Sequence, residues 1–204
     1  MPSAARTQDE LRRVSAHLYY EVMMLTATAA LTTPNAVSNE VATNAFLEAF
    51  TIHARSLLQF FFPTGQVRDT DVLAVHYMAD EATWYAALGA QPTTLGAVNS
   101  RVGTEIAHLS YKRLAVGPEA KGWNVPAIHL ALLRLVALFV EHAPSDKLGP
   151  SWNVRRILGT PSTGGPDRGV VSTTSSNIRY AIPEPGKGTM VNTIAAPVPF
   201  KTSD

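Results

Sequence analysis

Apolar residues recur at spacings of three and four through most of the first 143 residues, and no stretch of strict apolar alternation competes with them as a strand. Thr7-x-x-Glu10 has the form of a capping box, in which a hydroxyl and a carboxylate satisfy each other's backbone amides at a helix start. Behind it Leu11, Val14, Leu18, Val22 and Leu25 form one apolar stripe, predicting a helix that Thr32-Thr33-Pro34-Asn35 stops. A second helix is predicted from Glu40 to Phe62, with Phe46, Phe50, His53, Leu57 and Phe61 along one line, and Pro63 and Gly65 end it. An irregular connection over Thr64 to Pro92 follows, in which Asp80 can cap a short helix through Leu88 carrying Trp84 and Tyr85. So long an excursion between helices is expected to cover something. The third long helix is predicted over Thr94 to Arg113, striped by Leu95, Val98, Val102, Ile106 and Leu109. Asn124 before Val125-Pro126 caps a fourth, apolar nearly all round and expected at the centre. Four main helices joined by loops predict an all-α, antiparallel four-helix-type bundle over residues 1–143. The Ala-rich runs at Ala27 to Ala30 and Ala86-Ala87 permit close helix approach, and a homodimer interface is expected to take any apolar face left over.

Composition changes that picture at Pro144. Residues 144–204 hold eight of the fourteen prolines and seven of the thirteen glycines, with fourteen Ser and Thr. A segment so composed buries too little apolar surface to offset its ordering entropy, so a long, mostly disordered tail is expected there. Within it Trp152, Tyr180 and the run from Ile194 to Phe200 are candidates for docking on the body or on a partner. The formal net charge of +1 over 204 residues gives no overall electrostatic footprint for nucleic acid or membrane, so any such partner has to be met by a local patch. The absence of cysteine excludes disulfide scaffolds, zinc fingers, thiol nucleophiles and iron–sulfur clusters. Val125 to Val140 is shorter than the ~20 residues that span a bilayer and is interrupted by His129 and Arg134, which predicts a core helix. No basic stretch followed by an apolar run opens the chain, so no membrane partner and a cytoplasmic location are expected.

Candidate chemistry concentrates on two helices. On the third, Arg101, Glu105, His108 and Lys112 follow at intervals of four, three and four, which places all four on one face of a regular helix. On the second, Asn44, Glu48, Thr51 and Arg55 repeat the spacing as a narrow polar strip. If the helices are neighbours, Glu48 can meet Arg101 and Glu105 can meet Arg55. Two amphipathic helices showing solvated faces with modest ion pairs account for the same pattern. His53, set among Phe46, Phe50 and Leu57, reads as a core histidine bonded to a carbonyl, to Glu105 or to a tyrosine. Trp84, Trp123 and Tyr111 can stack on bases or act as lids on the core. Glu105-x-x-His108 is also the ligand pair of carboxylate-bridged di-iron bundles, with Glu48 as an added ligand, but the second Glu-x-x-His such a site needs is missing. No Gly-rich phosphate loop, Gly-x-Ser-x-Gly elbow or His-Glu-x-x-His occurs.

Arg101-Val-Gly-Thr-Glu-Ile-Ala-His108, followed by Leu109-Ser110-Tyr111, resembles the arginine, four to six residues, histidine signature of the HEPN superfamily, small helical-bundle proteins found among bacterial toxins and defence ribonucleases. The preceding segment from Asn44 to Arg55, running into Phe60-Phe61-Phe62, also resembles uncharacterised bacterial HEPN-like proteins. The likeness covers residues 10–142 as an architecture, with some thirty positions in the matching motifs, and leaves the tail without a counterpart. It implies an RNA-binding module or a metal-independent endoribonuclease, with RNA as substrate, no cofactor, a homodimer and an antitoxin-like protein partner. Carried onto this chain, it makes Arg101 and His108 the catalytic pair. Arg55, Lys112 and Arg113 are then expected as phosphate contacts, and Asn44, Glu48, His53 and Glu105 as a supporting polar network. The competing expectation is a non-catalytic dimeric interaction domain whose polar strips are internal ion-pair networks. The two differ in that catalysis needs a solvent-reachable His108 beside a cleft.

Overall fold

The first helix begins where the capping box requires. The Glu10 amide donates to the Thr7 hydroxyl at 3.2 Å and the Thr7 amide donates to the Glu10 carboxylate at 2.8 Å; the second bond, with one from the Thr7 hydroxyl at 3.0 Å, holds the Glu10 carboxyl below its ordinary value. In the computed structural model, which describes residues 6–33, 36–109, 111–117 and 121–152, all helices come from the body foreseen by the apolar pattern and no strand occurs among the described residues. They are α1 (Gln8–Leu31), α2 (Glu40–Phe61), α3 (Glu81–Leu88), α4 (Val98–Arg101, continued by a π-helical turn Val102–Ala107) and α5 (Val125–His142). The fold class is all-α.

Helices α1 and α2 form an antiparallel hairpin. Their stripes meet as expected: Leu11, Leu18, Val22 and Leu25 of α1 and Phe50, Leu57 and Phe61 of α2 are buried. Helix α5 touches α1, α2, α3 and a short 3-10 turn at Thr93–Leu95, which makes it the central element. It is long and apolar enough to cross a membrane by composition, yet it buries Val125, Ile128, Leu132, Leu135, Val136 and Phe139 against the rest of the fold. Phe139 is the hub of the core, with Phe60, Tyr77, Trp84 and Trp152 packed edge-on around it at centroid separations of 5.2, 5.2, 6.5 and 5.8 Å.

The long connection after α2 does cover this core. It includes a 3-10 turn, Ala74–Tyr77, whose Tyr77 is fully buried and donates its hydroxyl to Leu11 O at 3.1 Å. Asp80 then caps α3 as its position predicts, accepting from the Ala82 and Thr83 amides.

Two expectations fail. The predicted helix over Thr94 to Arg113 is broken into the 3-10 turn Thr93–Leu95, α4 with its π turn, an extended His108 (φ −126°, ψ 129°) and a 3-10 turn Tyr111–Ala115. Gly103 and the β-branched Val102, Thr104 and Ile106 make this stretch a weak helix former. The break is closed by Arg113, whose guanidinium turns back to cap the Thr104, Ile106 and His108 carbonyls at 3.1–3.3 Å.

The composition boundary at Pro144 is also not where packing ends. Residues 144–152 lie on the helical body: Ser15 Oγ accepts the Gly149 amide at 2.8 Å, Ser15 O accepts Trp152 Nε1 at 2.7 Å, and Lys147 Nζ donates to the Tyr77 and Met78 carbonyls. Leu148 and Trp152 are buried with the core. One well-placed indole contributes more burial than the surrounding prolines and glycines remove. The remainder of the predicted tail, 153–204, with Tyr180 and the run from Ile194 to Phe200, lies outside the described residues.

Candidate functional site

Arg101 sits at the last α-helical residue of α4, where the winding changes to the π turn. Its Nε and Nη2 donate to the two oxygens of Glu105 at 2.7 and 2.8 Å, a bidentate pair within one helical segment. Nη1 and Nη2 also reach the carbonyls of Gly122 and Lys121 at 3.1 and 3.3 Å, and the guanidinium carbon stands 4.0 Å from the centre of the Trp123 ring. The planar, delocalised cation is suited to all three contacts at once, which an ammonium is not. Arg101 thus fastens the π turn to the chain segment that leads into α5.

The partner foreseen for it on α2, Glu48, does not pair with it. Glu48 instead lines a groove of about 320 Å³ with Asn44, Glu105, Arg113, Lys121 and Trp123. The expected neighbourhood of the two polar strips is therefore correct at Asn44, Glu48 and Glu105, while the expected exchange of ion pairs is not. Arg55, foreseen as the partner of Glu105, lines a different cavity, formed by the end of α2 and the loop after it, and the two cavities share no lining residue.

His53 belongs to neither. Its Nδ1 lies 2.8 Å from Glu21 Oε2, and its ring packs edge-on against Tyr20 at 5.8 Å, so it ties α2 to α1. A bonded histidine was expected; the partner is a carboxylate of α1 rather than Glu105. Glu21 lies off the apolar stripe of the first helix, and nothing in the local pattern hints at an interhelical bond.

His108 leaves the helical face predicted for it. It stands in extended backbone directly after the π turn and is exposed to solvent. The break carries the next residues outward with it: Leu109, Tyr111 and Leu114 are 92%, 91% and 84% exposed, and Lys112 is exposed beside them. Of the three aromatic residues considered for stacking, Trp84 is buried at 1% exposure and is a core lid, Trp123 lies under Arg101, and only Tyr111 offers a free ring face. Arg113, foreseen as a phosphate contact, has its guanidinium occupied by three backbone carbonyls. The metal alternative fails on geometry, because Glu48, Glu105 and His108 do not come together and no group of three such ligands forms among the described residues.

Compared with protein-family models, curated proteins and solved structures, the chain matches none. The site offers an exposed imidazole, a free aromatic face and a cation along five residues of chain, anchored at the base by the Arg101–Glu105 pair.

Proposed function

We propose that this protein is a HEPN-like RNA-binding module in which the strip from His108 to Lys112 meets single-stranded RNA, and that His108 supports metal-independent cleavage there. The observation that carries the reading is the exposure of His108 beside the open ring of Tyr111. Stacking on an aromatic face together with a nearby cation is the common way to hold an unpaired base and its phosphate. An imidazole is the side chain suited to accepting and donating protons close to neutrality. In the cleavage step His108 takes the proton of the ribose 2′-hydroxyl as its oxygen bonds to phosphorus. The bond to the 5′-oxygen breaks, that oxygen acquires a proton from solvent, and a cyclic phosphate is left.

The resemblance makes Arg101 the residue that stabilises charge on the phosphate. A phosphate reaches its guanidinium only by displacing Glu105 and the carbonyls of residues 121 and 122. We therefore assign Arg101 a positioning role, through the π turn that presents His108.

The test is chelator-treated protein incubated with mixed single-stranded RNA, beside His108→Ala, Tyr111→Ala and Arg101→Ala variants of confirmed fold. Chelator-resistant cleavage that disappears in His108→Ala, and weakened RNA binding in Tyr111→Ala, are the expected results. RNA binding that is absent in the parent, or unaffected by Tyr111→Ala, removes the proposal.

A second reading has its own observation. Leu109 and Leu114 are apolar side chains held almost wholly in water, which an interaction domain pairing through this strip explains as well. Light scattering of the parent and of a Leu109→Ser, Leu114→Ser variant decides it, since a dimer built on these residues dissociates in the variant.

A further inference from the structure

The larger cavity, about 540 Å³, lies where α2 ends and the chain from Pro63 to Leu73 folds back over the helix. Its size is within the range of clefts that hold small molecules. Three charged residues line it, Arg55, Arg68 and Asp71. Asp71 is engaged: one of its oxygens accepts the Arg68 amide at 2.8 Å and closes the turn between them. The two guanidinium groups, by contrast, have no partner among the described residues, although each carries five donors in a fork that matches a phosphate. Arg55 is half-buried at the cavity wall, where an anion can take its guanidinium as a counter-charge.

The rest of the lining restricts the kind of anion. Because α2 ends here, the partial negative charge of a helix C-terminus lies at the cavity and favours donors such as hydroxyl or amino groups over bare negative charge. Gln59 and Gln66 add both donors and acceptors, and Phe60 with Pro63 gives an apolar wall. A free inorganic anion uses only the arginines; a phosphate joined to a hydroxyl-bearing, partly apolar body uses the whole lining.

We propose that this cavity binds a hydroxyl-rich organic monophosphate of nucleoside-monophosphate size, with Arg55 and Arg68 on the phosphate. The site is separate from the His108 strip and does not depend on the RNA reading.

The experiment is titration of the full chain with adenosine monophosphate, adenosine and inorganic phosphate, followed by calorimetry. Saturable binding of the monophosphate, at least about tenfold tighter than that of either adenosine or phosphate, is expected. Arg68→Ala, in an exposed loop, and Arg55→Ala each weaken it by about tenfold or more at unchanged melting temperature, and Tyr111→Ala leaves it intact. Absence of saturable binding up to ~10 mM overturns the proposal. So does binding that persists unchanged in both arginine variants, or adenosine binding as tightly as its monophosphate. Loss in Tyr111→Ala with retention in the arginine variants assigns the nucleotide to the other surface and overturns it as well.

Discussion

Arg101 and Glu105, four residues apart, form a bidentate ion pair at the point where α-helical winding gives way to a π turn. The pair is largely shielded, with side-chain exposures of 24% and 15%, and Trp123 covers the guanidinium. Replacement of Arg101 by Ala removes charge-assisted bonds, a cation–π contact and the caps of two carbonyls together, and is expected to destabilise the fold by about 2 kcal/mol. Arg101→Lys restores less than half of that, because an ammonium cannot span both carboxylate oxygens and the carbonyls of residues 121 and 122. Urea midpoints of the two variants measure it. A loss confined to RNA cleavage, with stability intact, points instead to a direct catalytic role.

The Ser15 clasp on residues 149–152 gives a graded series. A Cβ at Gly149 lies 3.2 Å from Arg12 O and from Ser15 Oγ, so Gly149→Ala forces backbone to move and is expected to cost about 1–2 kcal/mol. Trp152→Phe keeps the ring but drops the Nε1 bond, for about 1 kcal/mol, whereas Trp152→Ala opens the core beside Phe139 and costs about 3–5 kcal/mol. Equal effects of the Phe and Ala variants in chemical denaturation contradict this packing.

Acid should destabilise the fold in two stages. Burial holds the His76 and His129 imidazoles below their ordinary value, and His76 is also bonded in neutral form, since its Nδ1 accepts the Leu73 amide. The unfolded chain binds protons first, so this stability is whole above about pH 6.5 and declines as pH falls toward the depressed folded values. Asp80, held low by its bonds to the Thr83 and Ala82 backbone, contributes above its ordinary 3.8 and loses that contribution only at still lower pH. Melting temperatures between pH 7.5 and 5 should therefore fall in the parent and flatten in a His76→Gln, His129→Gln variant.

Alkali acts on a different group. Burial raises the Tyr77 phenol to about 12, against an ordinary 10.0. Between those values the unfolded chain loses its proton first, so stability falls as pH rises through the interval. Tyr77→Phe should be less stable at neutrality, having lost the bond to Leu11 O, but less sensitive to alkali.

The outward strip should be energetically silent. Leu109→Ser and Leu114→Ser are expected to change unfolding free energy by less than about 0.5 kcal/mol, while Leu132→Ala in the core costs about 2–5 kcal/mol. A large loss on the strip, measured in dilute monomeric protein, shows that these side chains are packed in solution.

Much of the fold was legible because local signals and burial agree. Thr7, Asp80 and Asn124 each cap the helix that their positions announce, and the stripes of α1 and α2 point inward. The break in the helix predicted over Thr94 to Arg113 was not legible, although Gly103 and its β-branched neighbours were visible. Whether such a weak stretch bends depends on the Arg113 side chain returning nine residues to cap Thr104, and periodicity cannot register a contact of that kind. For the candidate site, the interval of four put Arg101 and Glu105 on one helical face, but the partners expected for them were Glu48 and Arg55. The continuation to His108 and Lys112 assumed regular winding and failed with it. Trp152 was hidden for a further reason: composition averages over a window, and a single indole seated against Tyr19 and Phe139 is lost in that average.

The Ser15 hydroxyl and carbonyl join α1 to residues 134 and 137 positions later in the chain. During synthesis α1 emerges before the other described helices, yet the groove along its Ser15 face cannot close until Trp152 has left the ribosome. The hairpin of α1 and α2 can assemble early from contacts close in sequence, but the seam beside it stays wet until nearly the whole described body exists. The contacts that close this seam are thus anchored on the earliest of the described helices, so chains halted before Trp152 carry an open, apolar seam that chaperones or proteases can read.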